Sequence, residues 1–383
     1  MVKNNNYPKI YLTIDNCFAI KRWVRPKDWM KVIKEIGNIS CVEASTDNEI
    51  DPLFNTKEFR DEWIKEVEEY EKEYGLKVVS FYSGYATYRT AGLTSWAKSS
   101  REALKNNYFK NVVDIAARLG AQVGNALNAF SEPVLDNPDM FHETESFLEE
   151  NLAEMTEYAA KKDVSFGYEQ MYTPNQGFWT IDRCRNWIKK IFNRAENPMY
   201  ITIDTAHQVG QNKFLKPTDD ELKDMIKNGS TKGFRLSSEI TQMIKAKKST
   251  FSEIKKKLEK YYYLFAKPED SDIFKWFSEL GCYSPLVHLQ QTDGTYSGHK
   301  PFTEQFNKTG IINPKKVFKA IAESYDKEDE KGMPPKVKEM YLAFEVFFGI
   351  TDSPEDIIDG MRKSVEYWRK YIPQDGVNLG ELI

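Results

Sequence analysis

The chain predicts an α/β fold, a closed (β/α)8 barrel with a helical insertion after strand six, and three observations lead there. Short β-branched and aromatic runs alternate with longer, charge-rich amphipathic stretches. Eight such runs can be counted along the 383 residues, the number that closes a parallel barrel. The last four strands carry a carboxylate or an imidazole late in an otherwise apolar run, at the end where parallel barrels assemble their sites.

In order, KIYLTID from Lys9 reads as strand one, and its helix is PKDWMKVIKEI, with Pro26 at the first helical position. ISCVEA from Ile39 is strand two, with a helix over 56–74, and KVVSFYS from Lys77 is strand three, with a helix over 95–119. AQVGNAL from Ala121 and VSFGYEQ from Val164 are strands four and five, with helices over 143–162 and 181–194, the second capped by Thr180. YITIDTAH from Tyr200, PLVHLQQ from Pro285 and YLAFEVF from Tyr341 complete the set, with helices over 271–280, 314–324 and 354–371.

Strands six and seven start about 85 residues apart and strands seven and eight about 55, against the roughly 30 of a βαβ unit. An insertion from Val209 to Pro268 fills the first gap. It is rich in lysine and reads as helical in DDELKDMIKNG and FSEIKKKLEKYYYLF. Its plain reading is a solvated support for the barrel edge or a subunit contact; its functional reading is a lid over the mouth. With no Gly/Ser linker and no short repeat, residues 1–383 are expected to form a single domain that carries 209–268 within it.

Composition narrows the function classes. Lys and Arg number 54 against 58 Asp and Glu, a net charge of −4, which argues against a dedicated binder of nucleic acid or anionic membrane. The 23 Phe, 21 Tyr and 8 Trp supply a core that a disordered chain lacks, and would permit a homo-oligomer. Cys17, Cys41, Cys184 and Cys282 lie far apart with no CxxC pair, as expected of reduced thiols in a cytoplasmic protein. MVKNNNYPKIYLTIDN has polar residues where an export signal needs an apolar run, and YLAFEVFFGI is too short to span a bilayer. Walker, GxGxxG and GxSxG motifs are missing, so ATP hydrolysis, nicotinamide redox chemistry and serine hydrolysis lack support.

The chemistry-bearing residues are Glu169 in VSFGYE, Asp204 in YITID, His288 in PLVH and Glu345 in YLAFE. One glutamate at a strand end ordinarily forms a salt bridge, and a lone histidine ordinarily packs. Three carboxylates brought together are different, because burying them without a cation costs several kcal/mol or forces protonation. The set suits one divalent ion, Mn2+, Mg2+ or Co2+, with Zn2+ also compatible. Strand alternation agrees: Gly167 and Ser165 share the face of Glu169, and Thr202 that of Asp204, so small residues leave room for an ion and a ligand.

The segments GYEQM, ITIDTAH, LVHLQ and AFEVF resemble the xylose isomerase-like TIM barrels, the superfamily of sugar isomerases, epimerases and endonuclease IV, most closely its sugar or sugar-phosphate isomerase/epimerase branch. The resemblance implies that Glu169, Asp204, His288 and Glu345 hold a divalent metal and that His207 contacts substrate. It also implies a small-molecule sugar or sugar phosphate as partner. A metal bound to adjacent carbonyl and hydroxyl oxygens lowers the pKa of the neighbouring C–H by stabilising an enediolate. Glu169 and Glu345, from strands five and eight, are the expected acid/base pair: proton return to the same carbon epimerises, and return to the next carbon isomerises.

Further substrate contacts are expected from His299 and Lys300 in the loop QQTDGTYSGHKPF, from Gln170, and from Arg89 after strand three, the two basic groups suiting a phosphate or carboxylate. Gln176, Phe178 and Trp179 form a sugar-like mixture of amides and rings beside Glu169. Three rivals stand beside the isomerase/epimerase reading. An endonuclease IV-like metal phosphodiesterase uses further histidines from early strands, whereas this chain has only His142, His207, His288 and His299. A sugar-acid dehydratase keeps the metal and enediolate but loses water. A non-catalytic sugar-binding barrel has little use for two glutamates flanking a metal.

Overall fold

A computed structural model describes residues 6–84 and 91–383. Eight parallel strands close a barrel: β1 (Lys9–Asp15), β2 (Cys41–Ser45), β3 (Lys77–Ser83), β4 (Gln122–Asn125), β5 (Phe166–Glu169), β6 (Met199–Asp204), β7 (Leu286–Leu289) and β8 (Glu339–Phe344). Each pairs with the next, and β1 pairs with both β8 and β2, which joins the ends. A two-residue β9 (Val377–Asn378) runs antiparallel to the start of β1. The expected eight-stranded barrel is therefore the fold. Its outward strand positions, such as Ile10, Leu12, Val123 and Ile203, are buried beneath the helices.

The helices follow the sequence pattern with three instructive departures. The segment read as continuous over 95–119 is α-helical over Lys98–Ala103 and Lys110–Leu119, with a π turn at Leu104–Phe109 between them. Lys105 in that turn is buried, and its Nζ pairs with Glu102 at 2.9 Å and with Glu154. The fourth long helix begins at Pro138 rather than at 143, because the Asn137 side chain accepts the N–H groups of Asp139 and Met140 and proline suits the first helical position. The insertion holds three helices, Asp219–Asn228, Ser238–Ala246 and Phe251–Lys260. The first and third carry reciprocal Thr218/Glu221 and Thr250/Glu253 caps, and the middle one, not read from sequence, starts where Ser237 accepts the Ile240 N–H.

The insertion fastens to the connection after β4. Arg235 bonds Glu132 at 2.6 Å, the Tyr263 hydroxyl donates to the Leu135 carbonyl at 2.9 Å, and the Tyr263 ring stacks 3.6 Å from that of Phe141. All four cysteines are buried and unpaired, and no described helix is long and apolar enough to cross a membrane.

Strand register decides what lines the barrel axis. Residues in register on neighbouring parallel strands face the same side, and alternate residues of one strand face opposite sides. Asp15 is in register with Glu43, Glu43 with Ser80, Tyr82 with Gly124, Gly124 with Gly167, Glu169 with Thr202, Asp204 with His288, and His288 with Ala343. An irregularity between Val42 and Glu43 is needed for this, since it sets Glu43 opposite Ser80 instead of Val79. The axis is thus lined by polar and small residues. A Cβ placed on Gly167 would stand 3.2 Å from Thr202 Oγ1, and one on Gly124 3.3 Å from the same atom.

Gly167→Val would overfill this layer directly beneath Glu169. Urea unfolding is expected to show a loss of roughly 1–3 kcal/mol.

Candidate active site

Glu169 and Asp204 are the last residues of β5 and β6, His288 lies within β7, and Glu345 follows the end of β8. All four are buried, and each offers an atom within 4.8 Å of those of the other three. His288 is central: Nδ1 lies 2.7 Å from Glu169 Oε1 and 3.4 Å from Glu345 Oε2, and Nε2 lies 3.1 Å from Glu43 Oε2. Carboxylate oxygens only accept, so both ring nitrogens donate. Burial opposes the charged ring, but Glu345, Glu43 and Glu169 outweigh it and raise the His288 pKa well above the usual histidine range.

The carboxylates differ in their partners. Asp204 Oδ1 accepts the backbone N–H groups of Ala206 at 2.7 Å and His207 at 2.9 Å, and the Gln290 amide reaches both its oxygens at 2.9–3.0 Å. Burial pushes Asp204 up, yet His207, His299 and Gln290 overcome it and bring its pKa below normal. Glu169 accepts the Tyr82 hydroxyl on Oε2. Glu345 Oε2 is buried without a hydrogen-bond partner. Burial, reinforced by the charges of Glu169, Asp204 and Asp15 against the relief from His288, holds the Glu345 pKa well above the carboxylate range.

Above this cluster opens a cavity of about 170 Å3, walled in part by Asp15, Tyr82, Glu169, His207, His299 and Glu345. Two of the expected substrate contacts, His207 and His299, therefore face it. His207 Nδ1 lies 2.8 Å from the Gln170 carbonyl, which can only accept, so Nδ1 donates to it. His299 stacks on Phe347 at 4.1 Å, and burial lowers its pKa to about 4. The Gln170 side chain is fully buried, donates to the Met171 carbonyl and does not line the cavity; what reaches His207 is its backbone. Lys300 lines a separate cleft with Tyr296 and Phe306, its Nζ 5.5 Å from the Phe306 ring centre. Arg89 lies outside the described residues. Among the described residues, no part of 209–268 lines the cavity wall.

Sequence reasoning passed over Asp15, Glu43 and Tyr82. Asp15 closes KIYLTID just as Asp204 closes YITID, so the same signal was present at strand one. Asp15 Oδ1 accepts the Cys17 N–H at 2.8 Å, and Oδ2 has no hydrogen-bond partner. Burial, then the neighbouring Glu43, raises the Asp15 pKa well above normal.

Residues 30–327 match the description of the xylose isomerase-like TIM barrel. The chain belongs to that family. A curated relative within reach is D-erythrulose 1-phosphate 3-epimerase of Brucella abortus (strain 2308), 29% identical over 114 residues, which make up 30% of this chain and 34% of that protein. Among solved structures, a candidate xylose isomerase from Rhodospirillum rubrum superposes with a TM-score of 0.69 at 16% identity, over 94% of this chain and 99% of the other. D-psicose 3-epimerase from Clostridium cellulolyticum, solved with D-tagatose, gives 0.53 at 12% identity, over 95% and 99%. At these identities the structures speak for the shared barrel. Family membership agrees with the barrel.

Gln290 supports this cluster from behind, holding both oxygens of Asp204 and, through Oε1, the His299 N–H at 2.6 Å. Gln290→Leu leaves these buried groups short of partners, and thermal unfolding is expected to register a loss of about 1–3 kcal/mol.

Proposed function

We propose that the protein is a divalent-metal-dependent epimerase or isomerase of a sugar or sugar phosphate. One observation carries the reading: three buried carboxylates and an imidazole converge within 4.8 Å, and Glu345 Oε2 among them has no hydrogen-bond partner. An orphaned carboxylate oxygen beside two further carboxylates is the donor set that a hard or borderline divalent cation requires. Glu169, Asp204, His288 and Glu345 would hold the ion. When bound, such an ion supplies Lewis acidity to adjacent carbonyl and hydroxyl oxygens and so acidifies the neighbouring C–H.

The chain's own groups then divide the remaining work. Glu169 and Glu345 rise from β5 and β8, with two strands between them, and both border the cavity. Two carboxylates approaching a substrate carbon from different sides can remove a proton on one side and return it on the other. Glu345 Oε2 accepts no hydrogen bond, whereas Tyr82 and His288 hold both oxygens of Glu169 in place. His207 borders the cavity as a candidate substrate contact, its Nδ1 held by the Gln170 carbonyl, and the Phe347–His299 stack forms an apolar margin of the same cavity. The named activities of the family relatives are of the same chemical kind, which supports the assignment.

The test is solvent deuterium wash-in, read by NMR, over a panel of tetrulose, pentulose and hexulose sugars and their phosphates with Mn2+ present. Exchange at one carbon with product mass conserved apart from deuterium is expected. Absence of exchange across the panel would favour a non-catalytic sugar binder, and loss of water would indicate a dehydratase. Glu169→Gln and Glu345→Gln are each expected to lower exchange by about 10²- to 10⁴-fold in a folded chain. Chelation with EDTA is expected to abolish exchange, and added Mn2+ to restore it.

A further inference from the structure

His288 meets a carboxylate on each of its nitrogens, and the two carboxylates have different surroundings. Glu169, on the Nδ1 side, borders the cavity and belongs to the cluster with Asp204 and Glu345. Glu43, on the Nε2 side, is completely buried on β2, is absent from the cavity wall and cannot reach a substrate there. Its second oxygen is also engaged: Oε1 accepts the Ser80 hydroxyl at 2.9 Å. The irregularity between Val42 and Glu43 brings Ser80 opposite Glu43, and the Tyr82 ring, 4.6 Å from the imidazole and nearly perpendicular to it, fixes the imidazole plane. The fold thus immobilises a charged acceptor at one nitrogen of the histidine whose other nitrogen points into the ligand cluster.

We propose that Glu43 is a positioning residue for the divalent ion: it holds the Nε2 proton of His288, so that once an ion displaces the Nδ1 proton now directed at Glu169, Nδ1 faces the ligand set of Glu169, Asp204 and Glu345. This rests on the metal reading above and assigns to β2 and β3 a part in it that their sequences did not suggest. A histidine ligand whose distal N–H is held by a carboxylate has a fixed tautomer and orientation and is a stronger donor than one held by a neutral acceptor. Ser80 acts one step further out by fixing the carboxylate.

The experiment is calorimetric titration of Mn2+ into metal-free wild type, Glu43→Gln and Ser80→Ala, with the melting temperature of each metal-free protein recorded alongside. Glu43→Gln keeps the shape but removes the charge, and Mn2+ affinity is expected to fall by roughly 10- to 100-fold, with a shift of the visible bands of the Co2+-loaded protein. Ser80→Ala is expected to weaken Mn2+ binding by a smaller factor, in the same direction. A folded Glu43→Gln that binds Mn2+ within about twofold of wild type overturns the assignment, because a purely structural role would change melting without changing affinity. Should Glu43→Gln fail to fold, Ser80→Ala decides, and an unchanged affinity there overturns it. A wild-type chain that takes up no Mn2+ instead overturns the metal reading itself, and the role of Glu43 with it.

Discussion

Five carboxyl groups, those of Asp15, Glu43, Glu169, Asp204 and Glu345, share the axis of one barrel at 6% exposure or less. Like charges removed from water together destabilise a fold by several kcal/mol unless they are protonated or meet positive charge. His288 is the imidazole placed among them, flanked directly by Glu43, Glu169 and Glu345. Hydrogen bonds from Ser80, Tyr82, Gln290 and the backbone after Asp204 offset part of the cost. The remainder is visible in the raised pKa values of Asp15 and Glu345, both driven first by burial. The proposed cation would meet the part of this imbalance that His288 leaves.

Much of the architecture depends on making that arrangement fit. Gly124 and Gly167 lie against Thr202 inside the barrel, so backbone takes the space that bulky aliphatic side chains fill in an ordinary barrel of this kind. The acidic groups sit at or near strand ends, where hydrogen-bonded backbone holds them more rigidly than loops would. Around this centre the insertion is fastened sideways, through Arg235, Tyr263 and Phe141, to the segment after β4.

The barrel was legible because its signals are local: each strand reads as a short β-branched run and each helix as a period of polar and apolar residues. The four acidic or imidazole strand ends were legible for the same reason. Glu43 was not, because its meaning lies in a contact with a residue 245 positions away and in an irregular register that no pattern within ISCVEA announces. Asp15 did carry the strand-end signal, and only its partnership with Glu43 required the fold. Lys105 is buried because a π turn aims it at Glu102 and Glu154, although its sequence reads as an ordinary solvated helix. Gln170 and Lys300 both lie near the site in sequence, and the fold directs one toward the backbone of its own loop and the other into a neighbouring cleft.

The most direct measurement is anomalous diffraction at the manganese absorption edge from crystals grown with Mn2+. The account predicts one peak per chain, about 2.0–2.3 Å from oxygens of Glu169, Asp204 and Glu345 and from Nδ1 of His288. A peak coordinated elsewhere, or none at saturating Mn2+, would contradict it.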